Sequence, residues 1–363
     1  MGMGREAQGS ASAKAGVRSW IGIPLLWAFF AGAATADPLS TWPFQGAPRD
    51  QGGRFENPSG PVRRAGPLVT VPFLLRRVFA RLRDPVGLPE RVKPDVDALG
   101  RPSRNPSVTW VGHSTLLVRI GGVNFLTDPI WSDRAGPTRF TGAFRYLAPG
   151  LELADLPRID FVVISHNHYD HLDLTSLRRL AADHPEALFL VPLANGELLR
   201  DHGIDRVIEL DWGGRHQMGD VTIYCLPAHH WSRRGLRDQR RALWASWAVT
   251  SPDRRFYFAG DSGEFPGFRA VGEALGPFDL VALPIGAYEP QAMMRPFHLD
   301  PEQAVRAALA LSARRIVGIH YGTFDLSDEP TDEPPRRLRG AAEVAGFPEE
   351  DVWLLRIGET RRF

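Results

Sequence analysis

The chain has 363 residues, 43% of them apolar, enough to bury a sizeable core in one large domain with extensions or in two modest ones. Its 43 basic and 42 acidic residues leave a net charge of +1, which argues against nonspecific nucleic-acid binding, where a basic excess is the rule. With Cys225 as the only cysteine, neither an intrachain disulfide nor a cysteine-based zinc site can form, so any metal is held by nitrogen and oxygen.

Arg5, Lys14 and Arg18 precede the apolar run from Trp20 to Ala34, and small residues follow up to Ala36. This order predicts an export signal over residues 1–36, and with it a place in the periplasm or cell envelope. The run contains glycine and proline and is short for a membrane span; an uncleaved anchor is the alternative. Residues 37–105 form a Pro-, Gly- and Arg-rich N-terminal extension. One amphipathic helix is predicted within it over 71–84, with Phe73, Leu74, Val78, Phe79 and Leu82 at helical spacing. It reads as a membrane-facing or lid helix, or as an arm packed on the main domain.

The texture changes at Ser107. Residues 107–129 read as three short strands with a turn at Gly121–Gly122. Further strand signals fall at 159–165, 187–192, 206–210, 221–227, 254–260, 280–286 and 314–320, with helical stretches at 174–183 and 301–312. Such interleaving predicts an α/β domain over 106–345, its sheets flanked by helices, followed by a C-terminal segment over 346–363.

Four of these strands run into a histidine or an aspartate. The strand at 159–165 runs into the segment "HNHYDH", and that at 221–227 is followed by His229 and His230. The strand at 254–260 runs into Asp261, and that at 314–320 ends on His320. Loops leaving one edge of a sheet converge, so these distant residues can meet in one site. His166 and His168, two apart at a strand exit, can face one cation, and Asp170 and His171 a second. Seven candidates (His166, His168, Asp170, His171, His230, Asp261 and His320) exceed what one cation with an open position needs. Two cations bridged by Asp261 use them all. His184, His202 and His216 read as ordinary surface or core histidines.

The segment "HNHYDH" resembles the HxHxDH signature of the metallo-β-lactamase fold, and "AHHW", "FAGDSG" and "IHYG" match its later motifs in order. The stretches "GHSTLLVRIGGVNFLTDPIW", "PAHHWSRRGLRDQRRALWASW", "PFDLVALPIGAYEP" and "HLDPEQAVRA" are similar to a narrower group, the N-acylphosphatidylethanolamine-hydrolysing phospholipases D and their bacterial relatives. The resemblance runs from Val108 to Phe324. It implies an αββα sandwich of two mixed β-sheets flanked by helices, and it selects His230, directly before Trp231, over His229 as the ligand. It also implies that Asp128 is a buried carboxylate supporting the metal-site loop, and that His298 stands near the metals as a catalytic residue. His113, in "VGHST", reads as pocket-lining or structural and is left out of the site.

Zinc fits the histidine-rich donor set, and manganese and iron are compatible with it. Two cations about 3.5–4 Å apart activate a water and clamp both oxygens of a displacement, and Asp170 can orient the nucleophile or take its proton. The expected function is a phosphodiesterase of phospholipase D type that cleaves an N-acylphosphatidylethanolamine-like lipid to phosphatidic acid and N-acylethanolamine. A lactonase or other ester or phosphate hydrolase on the same scaffold is the alternative, and a non-catalytic metal-binding envelope protein a remote one. Arg233, Arg234, Arg237, Arg240 and Arg241 read either as a site for an anionic head group or as a solvated basic loop. Trp231, Trp131 and Phe297 read either as an acyl-chain groove or as core. The partner is then a phospholipid or other small anion, with contact to a membrane surface; the sequence leaves the oligomeric state open.

Overall fold

Two seven-stranded mixed sheets enclose the main apolar core. The first contains β1 (Ser107–Gly112), β2 (Thr115–Ile120), β3 (Val123–Thr127), β6 (Phe161–Val163), β7 (Leu188–Pro192), β8 (Val207–Leu210) and β16 (Thr360–Arg362), in the order β16-β1-β2-β3-β6-β7-β8. The second contains β9 (Arg215–Met218), β10 (Val221–Leu226), β11 (Ser246–Thr250), β12 (Arg255–Phe258), β13 (Leu280–Pro284), β14 (Ile316–Ile319) and β15 (Val352–Trp353), in the order β15-β14-β13-β12-β11-β10-β9. A small hairpin, β4 (Arg134–Ala135) and β5 (Ala143–Phe144), stands apart from both. This computed structural model describes residues 45–62, 65–79 and 85–363, together with Met1. The export signal predicted over residues 1–36 lies outside the described residues.

Each sheet couples an antiparallel meander to a parallel run. β1, β2 and β3 pair antiparallel, and β3, β6, β7 and β8 parallel. In the second sheet β9 to β12 pair antiparallel and β12 to β15 parallel. Side chains alternate across a strand, and the sequence exploits this on β2 and β6. Leu116, Val118, Phe161 and Val163 point between the sheets, while Leu117 and Val162 point outward into a second apolar cluster. Strands covered on both faces are apolar throughout, which is why β13 reads "LVALP" with no polar alternation.

The helices are α1 (Pro67–Phe79), α2 (Val96–Gly100), α3 (Leu174–Asp183), α4 (Gly196–Arg200), α5 (Gly267–Leu275), α6 (Gln291–Met294), α7 (Pro301–Ala310) and α8 (Glu333–Val344). Leu177, Leu180 and Leu199 of α3 and α4 cover the outer face of the first sheet, and α5, α7 and α8 send Val271, Ala304 and Leu338 into the core with the second. Local chemistry sets the ends: Asp173 caps α3 through Ser176 N, and Asp300 and Gln303 form a capping box on α7. The helix predicted over 71–84 instead starts at Pro67 and carries Pro72 inside it. The sequence invited the later start because proline suits a first turn. Residues 80–84 of that prediction lie outside the described residues.

Both flanking segments are built into the sandwich. Thr360 pairs with Thr109 at the edge of the first sheet, and Val352 with Ile316 at the edge of the second. Phe55, from the N-terminal extension, is fully buried in the core.

Candidate metal centre

The site lies where strands β1, β3, β6, β12 and β14 end, joined by the loop after β10. Asp128 follows β3 in a left-handed conformation (φ 36°) and is completely buried. Its Oδ1 accepts from Ser165 N at 2.6 Å, and its Oδ2 accepts from Ser165 Oγ at 2.5 Å and faces His171 Nδ1 at 2.7 Å. One carboxylate thus ties the end of β3 to the loop after β6 and aims His171 Nε2 inward. Gly260 lets the β12 exit reach the same loop: it has φ +58°, and a Cβ there would sit 2.4 Å from Ser165 Cβ.

Three other imidazoles converge beside it. His166 Nδ1 faces Ser165 Oγ at 2.9 Å and His230 Nδ1 faces Phe297 O at 2.9 Å, which leaves both Nε2 atoms pointing inward. His168 Nδ1 meets them at 2.8 Å from His166 Nε2 and 3.3 Å from His230 Nε2. The second group is Asp170 Oδ2, 3.2 Å from His171 Nε2 and 3.4 Å from His320 Nε2. Asp261 stands between the groups. Its Oδ2 lies 3.1 Å from His171 Nε2 and 3.8 Å from both His166 Nε2 and His230 Nε2. Its Oδ1 lies 3.2 Å from His320 Nε2.

All seven residues predicted from the sequence therefore meet at one place, in two groups with Asp261 common to both. Imidazole nitrogens packed this closely repel unless something positive lies between them. His171 Nε2, His320 Nε2 and Asp261 Oδ1 are buried with no hydrogen-bond partner of proper geometry. Orphaned buried polar atoms are costly, and a divalent cation beside His171, His320 and Asp261 satisfies these three. The donor set fits two cations.

The electrostatics agree. Burial, reinforced by neighbouring imidazoles, holds His166 and His230 well below the ordinary histidine range, so their lone pairs are free. Burial also pulls on His171 and His320, but the Asp261 and Asp170 carboxylates outweigh it. His171 stands well above its usual value and His320 rises to about 9. Asp170 and Asp261 resist the upward push of burial because His171 and its neighbours hold them well below the carboxylate range. Two ionised buried carboxylates demand positive charge, which imidazolium protons supply in the metal-free chain and cations replace on binding.

His298 approaches from the segment between α6 and α7, with Nδ1 3.7 Å from Asp261 Oδ2. His229 turns the other way, its Nδ1 on Pro296 O at 2.9 Å. Of the histidines set aside, His184 caps the end of α3, His202 bonds Leu198 O at 2.8 Å, and His216 sits on β9.

A cavity of about 630 Å³ opens over the site. His168, Asp170, Asp261, His298 and His320 line its polar part, and Trp231, Met293, Met294, Phe297 and Leu74 its apolar part. The readings left open for the arginines and for the aromatic residues divide residue by residue. Of the five arginines only Arg233 lines this cavity. Arg234 is spent on Asn167 O and Leu172 O and stacks on Tyr169 at 4.0 Å, while Arg240 pairs with Asp50 at 2.9 Å. Trp131 packs against the outer apolar cluster with its Nε1 on Leu151 O, away from the groove that Trp231 and Phe297 line. The α1 helix packs on the domain through Phe73, which is buried, and Leu74 lines the cavity.

Two site residues escaped the sequence reading. His113, in the turn after β1, is buried with Nε2 3.0 Å from Asp170 Oδ2. Its signal was a strand-end position like those of the predicted ligands. Asn57, in the N-terminal extension, clamps the backbone of His230: its Nδ2 donates to His230 O and its Oδ1 accepts from His230 N, both at 2.9 Å. No local pattern marks it, since the contact spans 173 residues.

A family model described as Beta-lactamase superfamily domain matches residues 123–321. The N-acyl-phosphatidylethanolamine-hydrolyzing phospholipase D 1 of Caenorhabditis elegans is 44% identical over 240 residues, covering 62% of this chain and 67% of the worm protein. An uncharacterized protein of Mycobacterium tuberculosis is 46% identical over 242 residues, covering 65% of this chain and 64% of that one. The matches thus span about two thirds of these relatives' length. The solved structure of Igni18, a metallo hydrolase from the archaeon Ignicoccus hospitalis, superposes with a TM-score of 0.55 at 25% identity, covering 71% of this chain and 98% of that one. The chain belongs to the β-lactamase superfamily and is a metal-dependent hydrolase of the metallo-β-lactamase fold.

Proposed function

We propose that the chain is a dinuclear phosphodiesterase of phospholipase D type, converting an N-acylphosphatidylethanolamine-like lipid to phosphatidic acid and an N-acylethanolamine. The observation that carries this reading is the juxtaposition at one cavity. Members of both donor groups, His168 from one and Asp170 and His320 from the other, line its polar part together with Asp261, which lies beside both, and Trp231, Met293, Met294 and Phe297 give it an apolar wall. The likeness to the worm phospholipase D supports it.

His166, His168 and His230 would hold one cation and Asp170, His171 and His320 the other, with Asp261 touching both. Zinc suits this nitrogen-rich set, and manganese or iron is compatible with it. When bound, such a pair supplies Lewis-acid polarisation of a phosphoryl oxygen and lowers the pKa of water to near neutrality. The chain's own groups do the rest. Asp170, ionised and facing the cavity, orients the attacking water and accepts its proton. His298, whose Nδ1 lacks a partner, is placed to donate to a non-bridging phosphate oxygen as charge builds there. Arg233 meets the phosphate from the cavity wall. The apolar wall takes acyl chain and excludes water. Water's oxygen joins phosphorus, the bond from phosphorus to the ethanolamine oxygen breaks, and the leaving oxygen takes the proton that Asp170 accepted from the water.

Mass spectrometry of metal-loaded protein incubated with N-acylphosphatidylethanolamine tests this, with phosphatidic acid and N-acylethanolamine as the expected products. Free fatty acid or diacylglycerol would mean that another bond is cut. Efficient lactone opening without lipid turnover would move the assignment to a lactonase. Within the site, His230→Ala should lower metal content and activity sharply, whereas His229→Ala should do much less because that ring points at Pro296. The reverse ranking, read by elemental analysis, would mean that the ligand is misassigned.

A further inference from the structure

His113 is more firmly held than a merely cavity-lining histidine needs. The turn after β1 places it in a left-handed conformation (φ 53°), a strained state for a residue with a side chain, and contacts to four residues fix it there. Its N–H donates to Thr323 Oγ1 at 2.7 Å. Its carbonyl accepts from Trp110 Nε1 at 3.0 Å and from the backbone N–H of His320 at 3.1 Å. Its ring lies 4.2 Å from the His320 ring, with the edge of Phe324 at 5.2 Å. So anchored, its Nε2 points at Asp170 Oδ2, 3.0 Å away.

Asp170 Oδ2 also faces His171 Nε2 and His320 Nε2. Once those two nitrogens turn their lone pairs to a cation, they cannot donate to Asp170. His113 is then the nearby imidazole left to do so. Through its carbonyl it also holds the backbone of His320, which sits in the same unfavourable conformation (φ 60°). The first group, His166, His168 and His230, receives nothing from it.

We infer that His113 is the positioning residue of the second cation site, fixing Asp170 through its ring and His320 through its backbone without itself being a ligand. This rests on the two-cation reading above. The predicted consequence is selective. Losing the ring's hydrogen bond should weaken the second ion by about 10- to 100-fold, the usual effect of removing a partner that orients a ligand. The first ion should be unaffected.

The test is titration of metal-free protein with zinc and with cobalt(II), following both dissociation constants and the cobalt absorption bands, for the wild type and for His113→Ala, His113→Gln and His113→Asn. His113→Ala should weaken only the constant of the second ion and change only its bands. Gln carries an N–H at nearly the reach of Nε2 and should restore both; Asn is too short and should behave as Ala. If Ala does not fold, the contrast between Gln and Asn decides. Unchanged constants in Ala and Asn would overturn the assignment, as would equal loss of both ions in Ala, Gln and Asn. A wild type that takes up one ion only would sink the two-cation reading itself, a failure visible before any variant is compared.

Discussion

Replacing Asp261 with alanine should remove both metal ions together and abolish turnover, with a loss well beyond the about 100-fold that follows removal of a partner that merely orients a ligand. Asp261 reaches both groups, with its two oxygens within 3.8 Å of His166, His171, His230 and His320. Without it, four imidazoles are left facing one another without the carboxylate they share. His168→Ala should behave differently, since that side chain belongs to the first group only. It should release one ion and leave the second. Elemental analysis of both variants beside the wild type separates the shared ligand from the single-site one.

His298→Ala should cut phosphodiester turnover by on the order of 10²-fold, about 3 kcal/mol of transition-state stabilisation, while metal content stays intact. The ring lines the cavity, and its Nδ1 is buried without a partner 3.7 Å from Asp261 Oδ2. A donor held there serves charge that develops on the substrate. Because it sits beside the donor groups, the loss should fall on kcat. A fall in metal content that tracks the fall in activity would instead make His298 a ligand.

Much of this site was legible because ligands at strand ends leave a local trace. An apolar run that stops on His166, Asp261 or His320 puts a polar side chain where a buried strand would not tolerate one. The three N-terminal strands and α3 were equally plain, since their apolar spacing and turn residues agree. What escaped was held by contacts remote in sequence. Asn57 matters only because His230 comes to it. β15 and β16 span two and three residues, too short for any periodicity, and exist because Val352 and Thr360 find sheet edges. β11 also went unpredicted, although it is buried over most of its length between β10 and β12. The arginines after His230 left two readings open because composition shows charge but not its partners. Only the fold reveals that Arg234 and Arg240 are bound to the chain itself.

The central claim is that the two donor groups each hold a cation with Asp261 shared. Its most direct test is elemental analysis of wild-type protein, stripped with chelator, reloaded with zinc and freed of excess. Two ions per chain are expected, falling to one in His168→Ala and to none in Asp261→Ala. Saturation at one ion per chain, with Asp170→Ala and His171→Ala leaving that ion in place, would contradict it.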